Sequence, residues 1–292
     1  MQRLILLTIL LLSPIYNTFA QKYLGQTPPG LQPKVFAQGL ISLPGESDFG
    51  SVFSKNGKEF FYATEPGGKA EIRYMHQQYG QWTKPRTIVS HPQYGCNDPF
   101  LSPDEKRLYF ISEQPKKGKK TKRNYDIWYV QRTGKGWSAP INAGPNINSD
   151  KNEYYISFTQ SGTMYFSSNK KGSAKGSFDI YAAKQRNGQF MKPKRLGDAV
   201  NTPYYEADVF VAPDESYLIF CAQRPGGKGR GDLYVSFKQK DGSWTKSKNI
   251  EAINTASHEL CPFVTADGKY LFYTSKQDIY WVDAKVIEQY RK

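Results

Sequence analysis

A unit repeated five times constrains this chain more than any other feature. Its central blocks read SVFSKNGKEFFYAT, PFLSPDEKRLYFIS, ISFTQSGTMYFSS, VFVAPDESYLIFCA and PFVTADGKYLFYTS. With Phe53, Leu101, Phe158, Val211 and Val264 taken as equivalent, the copies are spaced by 48, 57, 53 and 53 residues. Self-similarity at such a period marks a repeat architecture, in which each unit buries its apolar face only by stacking on its neighbours.

Within each block, two short runs of aromatic and β-branched residues flank a tight turn at Asn56-Gly57, Asp104-Glu105, Ser161-Gly162, Asp214-Glu215 or Asp267-Gly268. That is the pattern of a β-hairpin. A third run follows a loop (EIRYM, DIWYV, DIYAA, DLYVS, DIYWV). A fourth opens on Gly-x-Trp or its equivalent and usually carries proline (GQWTKP, GKGWSAP, GQFMKP, GSWTKS). Proline cannot donate to a sheet ladder, so the fourth run is expected to lie outermost. Four antiparallel strands per unit and five units predict an all-β fold, a five-bladed β-propeller. The fifth unit ends after Asp278-Ile279-Tyr280-Trp281-Val282 without a fourth run, whereas QPKVFAQGLIS, residues 32–42, precedes the first unit and is similar to one. This N-terminal strand is expected to complete the last blade, closing the ring and covering an open sheet edge.

The phrases FLSPDEKRLYFIS…DIWYV and INTASHELCPFVTADGKYLFYTS resemble the WD-like propeller repeats of the periplasmic translocation protein TolB. They also resemble those of envelope proteins that join such repeats to peptidoglycan-binding OmpA-type domains. The resemblance covers about residues 31–284. It implies a propeller of the cell envelope, and because propellers carry unrelated activities it implies little about chemistry.

The N-terminus fits an exported chain. Met1-Gln2-Arg3 precedes an apolar run from Leu4 to Leu12, and Thr18-Phe19-Ala20 offers the small residues a signal peptidase reads. The expected organisation is a signal peptide over 1–20, a linker over 21–30, the propeller over 31–284 and a tail over 285–292. The apolar run is too short to span a bilayer, and no cysteine near the expected cut would take a lipid anchor. The mature chain is therefore expected to be periplasmic or secreted. Its formal charge of +14 would suggest nucleic acid in a cytosolic protein. An exported protein rarely meets that partner, and none is expected. Cys96, Cys221 and Cys261 form neither a disulfide framework nor a metal-binding spacing and read as small apolar fillers of buried strands.

Counting back from the equivalent residue, the fifth position holds Asp48, Cys96, Glu153, Glu206 and Glu259, and the third holds Asp98 and Asp208. Equal parity in a strand predicts one shared face, by the mouth of the central channel. Carboxylates converging there would suit acid/base work, a cation, or a cationic or sugar ligand. A carboxylate recurring blade after blade equally suits acceptance of backbone hydrogen bonds in the preceding turn, and both readings stand. Asp126, Asp179, Asp232 and Asp278 each open a third strand, which suggests a turn-closing role.

The loops before those aspartates are Gly-punctuated and basic: EQPKKGKKTKRNY, NKKGSAKGSF and QRPGGKGRG. Lys116, Lys117, Lys119, Lys120, Lys122, Arg123, Lys170, Lys171, Arg224, Lys228 and Arg230 would then ring the same face as the acids and attract an anionic surface. A solvated loop serving solubility is the alternative. GGKGRG joins two strands, not a strand to a helix, so it is no phosphate cradle. His76, His91 and His258 lack ligand spacing, and no metal or cofactor is expected. The expectation is a non-catalytic exported propeller binding a protein or glycan of the envelope. The rival is a glycosidase-like enzyme with paired carboxylates beside an open pocket.

Overall fold

The computed structural model describes residues 22–116, 124–169 and 177–291. Five of its antiparallel sheets are arranged as the blades of a ring, and a separate two-stranded ribbon pairs Gln185–Arg186 with Gln189–Phe190. From axis to rim, blade 1 holds Asp48–Phe53, Glu59–Thr64, Glu71–Gln78 and Arg86–Val89, and blade 2 holds Asn97–Leu101, Arg107–Ser112, Asp126–Thr133 and Ile141–Asn142. Blade 3 holds Glu153–Phe158, Met164–Ser168, Asp179–Ala183 and Lys194–Arg195. Blade 4 holds Tyr205–Val211, Tyr217–Gln223, Asp232–Phe237 and Lys248–Asn249.

Blade 5 holds Leu260–Val264, Tyr270–Ser275 and Asp278–Asp283, and its fourth strand is Lys34–Val35 from the other end of the chain. Lys34 pairs with Trp281 and Val35 with Tyr280, so the N-terminal strand closes the ring as expected. Phe36 follows, fully buried. Its N–H donates to the carbonyl of Ile279, and its ring lies 5.0 Å from Phe272, 5.2 Å from Trp281, 5.5 Å from Phe60 and 6.0 Å from Phe53. The closure thus joins blade 5 to blade 1 through an aromatic cluster as well as a ladder.

Three details depart from the sequence reading. The Gly-x-Trp segments are not the outermost strands. Gln81–Trp82 and Gly136–Trp137 fold back on the extended ends of their third strands, and the fourth strand begins only beyond the proline. Residues 21–30 were expected to be a linker, yet Tyr23 and Leu24 enter the core, where the Tyr23 ring packs 5.3 Å from Phe53 and 5.0 Å from Tyr270. The segment expected as a tail forms a short 3-10 helix, Ala284–Tyr290, with Val286 and Ile287 buried. The last two departures have one cause: an isolated pair of apolar residues in a short polar segment carries no periodic signal.

The inner strands begin on one face of the disc, here the upper face, and end at the hairpin turns on the lower face. The loops between second and third strands share the upper face. One of them is bonded directly to the turn before blade 5, where Arg230 N–H donates to Ser257 O and Gly231 bridges His258. Residues 1–21 and the greater part of two basic loops, 117–123 and 170–176, lie outside the described residues.

Candidate functional site

The acids at the start of the inner strands are consumed locally. Glu153 accepts from the N–H and hydroxyl of Ser149 and from Ser168 Oγ. Glu259 repeats this with Thr255 and Ser275. Glu206 does so with Thr202, its third partner being Arg224 Nε at 2.8 Å. All three residues are fully buried.

The residue before each Ser or Thr completes the device. The side chains of Asn148, Asn201 and Asn254 each accept from and donate to one backbone position of the preceding blade's third strand, at Ile127, Ile180 and Leu233, over 2.7–2.9 Å. Asn-(Ser/Thr)-x-x-x-Glu is therefore a clasp: the Asn holds one blade, the Glu starts the next, and the hydroxyl residue joins them. In blade 1, Asp48 takes the asparagine's place by accepting from Ile279 N–H at 2.8 Å, with Ser42 Oγ at 3.0 Å. Burial raises the carboxyl pKa of Asp48 to about 6 and of Glu153 to about 7, with the accepted hydrogen bonds opposing. Sequence reasoning missed the asparagines, although their recurrence was visible in INS, VNT and INT.

The third position behaves differently. Gly50, Asp98, Tyr155, Asp208 and Cys261 are equivalent residues of the five blades, and every one has φ between +43° and +54°. Each sits in a register shift of its inner strand, so the strict alternation assumed from sequence fails there. The expected single gathering of acids at the channel mouth accordingly splits in two. Asp48, Glu153, Glu206 and Glu259 stay between blades, and Asp98 and Asp208 turn to the axis.

Contacts between non-adjacent blades locate this hub. Cys261 Sγ of blade 5 lies 3.5 Å from Asp98 Oδ1 of blade 2, and Tyr155 of blade 3 donates its hydroxyl to Pro262 O of blade 5 at 2.8 Å. Asp208 accepts the backbone N–H of Cys261. Blade 1 supplies no side chain: a Cβ on Gly50 would stand 2.9 Å from Asp98 Oδ1 and 3.0 Å from Asp98 Cα. Burial pushes both carboxyls well above the ordinary aspartate range, and repulsion from Asp98 adds to the rise at Asp208, so the two titrate as a pair. Burial and the same two acids push the Cys261 thiol far up. Cys96, Cys221 and Cys261 are all free and buried.

The described basic residues divide. Arg224 is not a rim group: its side chain is 11% exposed, it bonds Glu206, Ser247 Oγ and Val200 O, and it lies 4.6 Å from the Tyr234 ring. Lys116 lies 3.5 Å from Asp126, Lys228 donates to Glu251 O at 2.6 Å, and both Lys228 and Arg230 are exposed. Lys117, Lys119, Lys120, Lys122, Arg123, Lys170 and Lys171 lie outside the described residues. Beside Arg224 the upper face opens into a groove of about 550 Å³ lined by Ser177, Pro203, Tyr204, Tyr205, Gln223 and Pro225, in which Tyr204 is exposed.

No family model matches the sequence, and no curated protein is detectably similar to it. Solved structures are similar. TolB from Acinetobacter baumannii superposes with a TM-score of 0.53 at 16% identity over 81% of this chain, which spans 54% of that protein. A protein from Agrobacterium tumefaciens assigned as TolB gives 0.53 at 17% identity over 84% of this chain and 73% of that one. The fold is a TolB-like β-propeller. A thermostable family-43 glycoside hydrolase gives 0.52 at 12% identity, covering 82% of this chain and 89% of that one. At such identities the TolB-like fold is shared and the chemistry is not thereby specified.

Proposed function

We propose that this TolB-like propeller is a non-catalytic binding module of the cell envelope, exported and periplasmic or secreted, which takes a protein or glycan partner on its upper face. The observation that carries the reading is the saturation of the recurrent acids: Glu153, Glu206 and Glu259 are fully buried and each accepts three hydrogen bonds from neighbouring groups. A glycosidase needs two carboxyls facing an open pocket. The groove at Tyr204 is lined by other residues than Asp98 and Asp208. What the upper face offers instead suits recognition: an exposed tyrosine, an amide at Gln223, and the exposed cations Lys228 and Arg230.

A crosslinking pull-down from envelope extract tests this. The partner retained by the native chain is expected to be lost with Tyr204→Ala, Lys228→Ala and Arg230→Ala combined, and with the basic loops neutralised. Undiminished capture by both variants would reject the face. A polysaccharide hydrolysis fully retained after Glu206→Gln with Asp208→Asn would eliminate the paired-carboxylate enzyme, and one lost from a variant that still melts like the parent would reject the non-catalytic reading.

A further inference from the structure

The opposite end of the channel is built for something else. On the lower face, between the hairpin turns, the axis opens into a cavity of about 250 Å³ to which all five blades contribute. Its floor is a set of phenylalanines one residue before the equivalent position: Phe100, Phe210 and Phe263, with Phe263 6.1 Å from Phe100 and 6.0 Å from Phe210. Blades 1 and 3 place Val52 and Ser157 there instead. The Ser157 hydroxyl donates to Val209 O and accepts from Val211 N–H, so it faces the neighbouring blade. Three rings, not five, therefore occupy this layer. Phe53, Leu101, Phe158, Val211 and Val264 contribute to the wall, and Lys55, Glu105 and Gln160 stand at the mouth.

An apolar cavity of about 150 Å³ stays dry and takes benzene. One somewhat larger, walled by phenylalanine and valine and open on one side, holds poorly bonded water that an aromatic ring displaces with gain. We propose that this lower cavity is a binding site for a compact aromatic body of phenyl to indole size, with its polar edge at the Lys55–Glu105 mouth. The ring belongs either to a small molecule or to an aromatic side chain of a polypeptide. This site lies on the face opposite the proposed partner surface, and the two readings stand or fall separately.

The test uses the mature chain with indole and with N-acetyl-tryptophan amide as probes, followed by saturation-transfer NMR and calorimetry. Two filled variants, Val52→Phe and Val264→Phe, come from different blades and serve each other as insurance should one fail to fold. The proposal expects indole to bind and either filled variant that melts like the parent to bind it about tenfold or more weakly, a loss of at least about 1.4 kcal/mol. Binding of both probes identifies an aromatic side chain as the guest, and binding of indole alone identifies a free small molecule. Binding of neither probe, or binding undiminished in the folded filled variants, would overturn it.

Discussion

If the recurrent glutamates are clasps, removing one should cost stability in proportion to what it leaves unpaired, and Glu206 is the sharpest case. Its carboxylate is fully buried and is bonded to Thr202 and to Arg224, whose side chain is 11% exposed and whose guanidinium lies against Tyr234. Glu206→Ala strands that guanidinium in a nearly dry site. Breaking a buried pair from one side costs about 3–5 kcal/mol, because the remaining charge keeps its desolvation penalty. Glu259→Gln is the contrast, since its partners are neutral and the amide retains an acceptor, and about 1–3 kcal/mol is expected there. Urea unfolding followed by tryptophan fluorescence measures both. The double variant with Arg224→Leu should recover part of the Glu206→Ala loss by removing the stranded charge. A Glu206→Ala chain within about 1 kcal/mol of the parent would refute the reasoning, since a carboxylate so dispensable to folding would be free for other work.

Two further outcomes follow from the same geometry. Glu153 has its pKa raised from 4.5 to about 7, so the folded chain holds this proton more tightly than the unfolded one, and its contribution, complete at low pH, is lost as the pH rises through about 7. The stability of the parent relative to Glu153→Gln should fall across that window in unfolding series at several pH values, and a flat difference would contradict the burial assigned to it. Gly50→Ala should cost more than about 2 kcal/mol, combining positive φ with a Cβ driven against Asp98. Asp98→Ala should restore only part of this in thermal melts, because the clash with Asp98 Cα remains.

The repeat made the ring legible because strand period, turn chemistry and unit spacing all pointed to one architecture, and the missing fourth strand of blade 5 pointed to Lys34–Val35. The site was less legible for a specific reason. Alternation along a strand is reliable only while the register holds, and all five inner strands shift register at or beside Gly50, Asp98, Tyr155, Asp208 and Cys261. Nothing in the types Gly, Asp, Tyr, Asp, Cys announces a common left-handed conformation. Arg224 misled in the same way: it sits in a Gly-rich basic loop by sequence, yet Glu206, eighteen positions earlier, draws it inward.

The ring itself is most directly tested by removing its fastening. Residues 31–42 carry the closing strand, the buried Phe36 and the Ser42 that bonds Asp48. Their deletion should lower the melting temperature by more than about 10 °C or abolish cooperative unfolding. Moving the same residues to follow the last strand, where Asp283 N–H already donates to Gly30 O, should restore most of the loss. An undisturbed melt after the deletion would mean that the blades do not close through this strand.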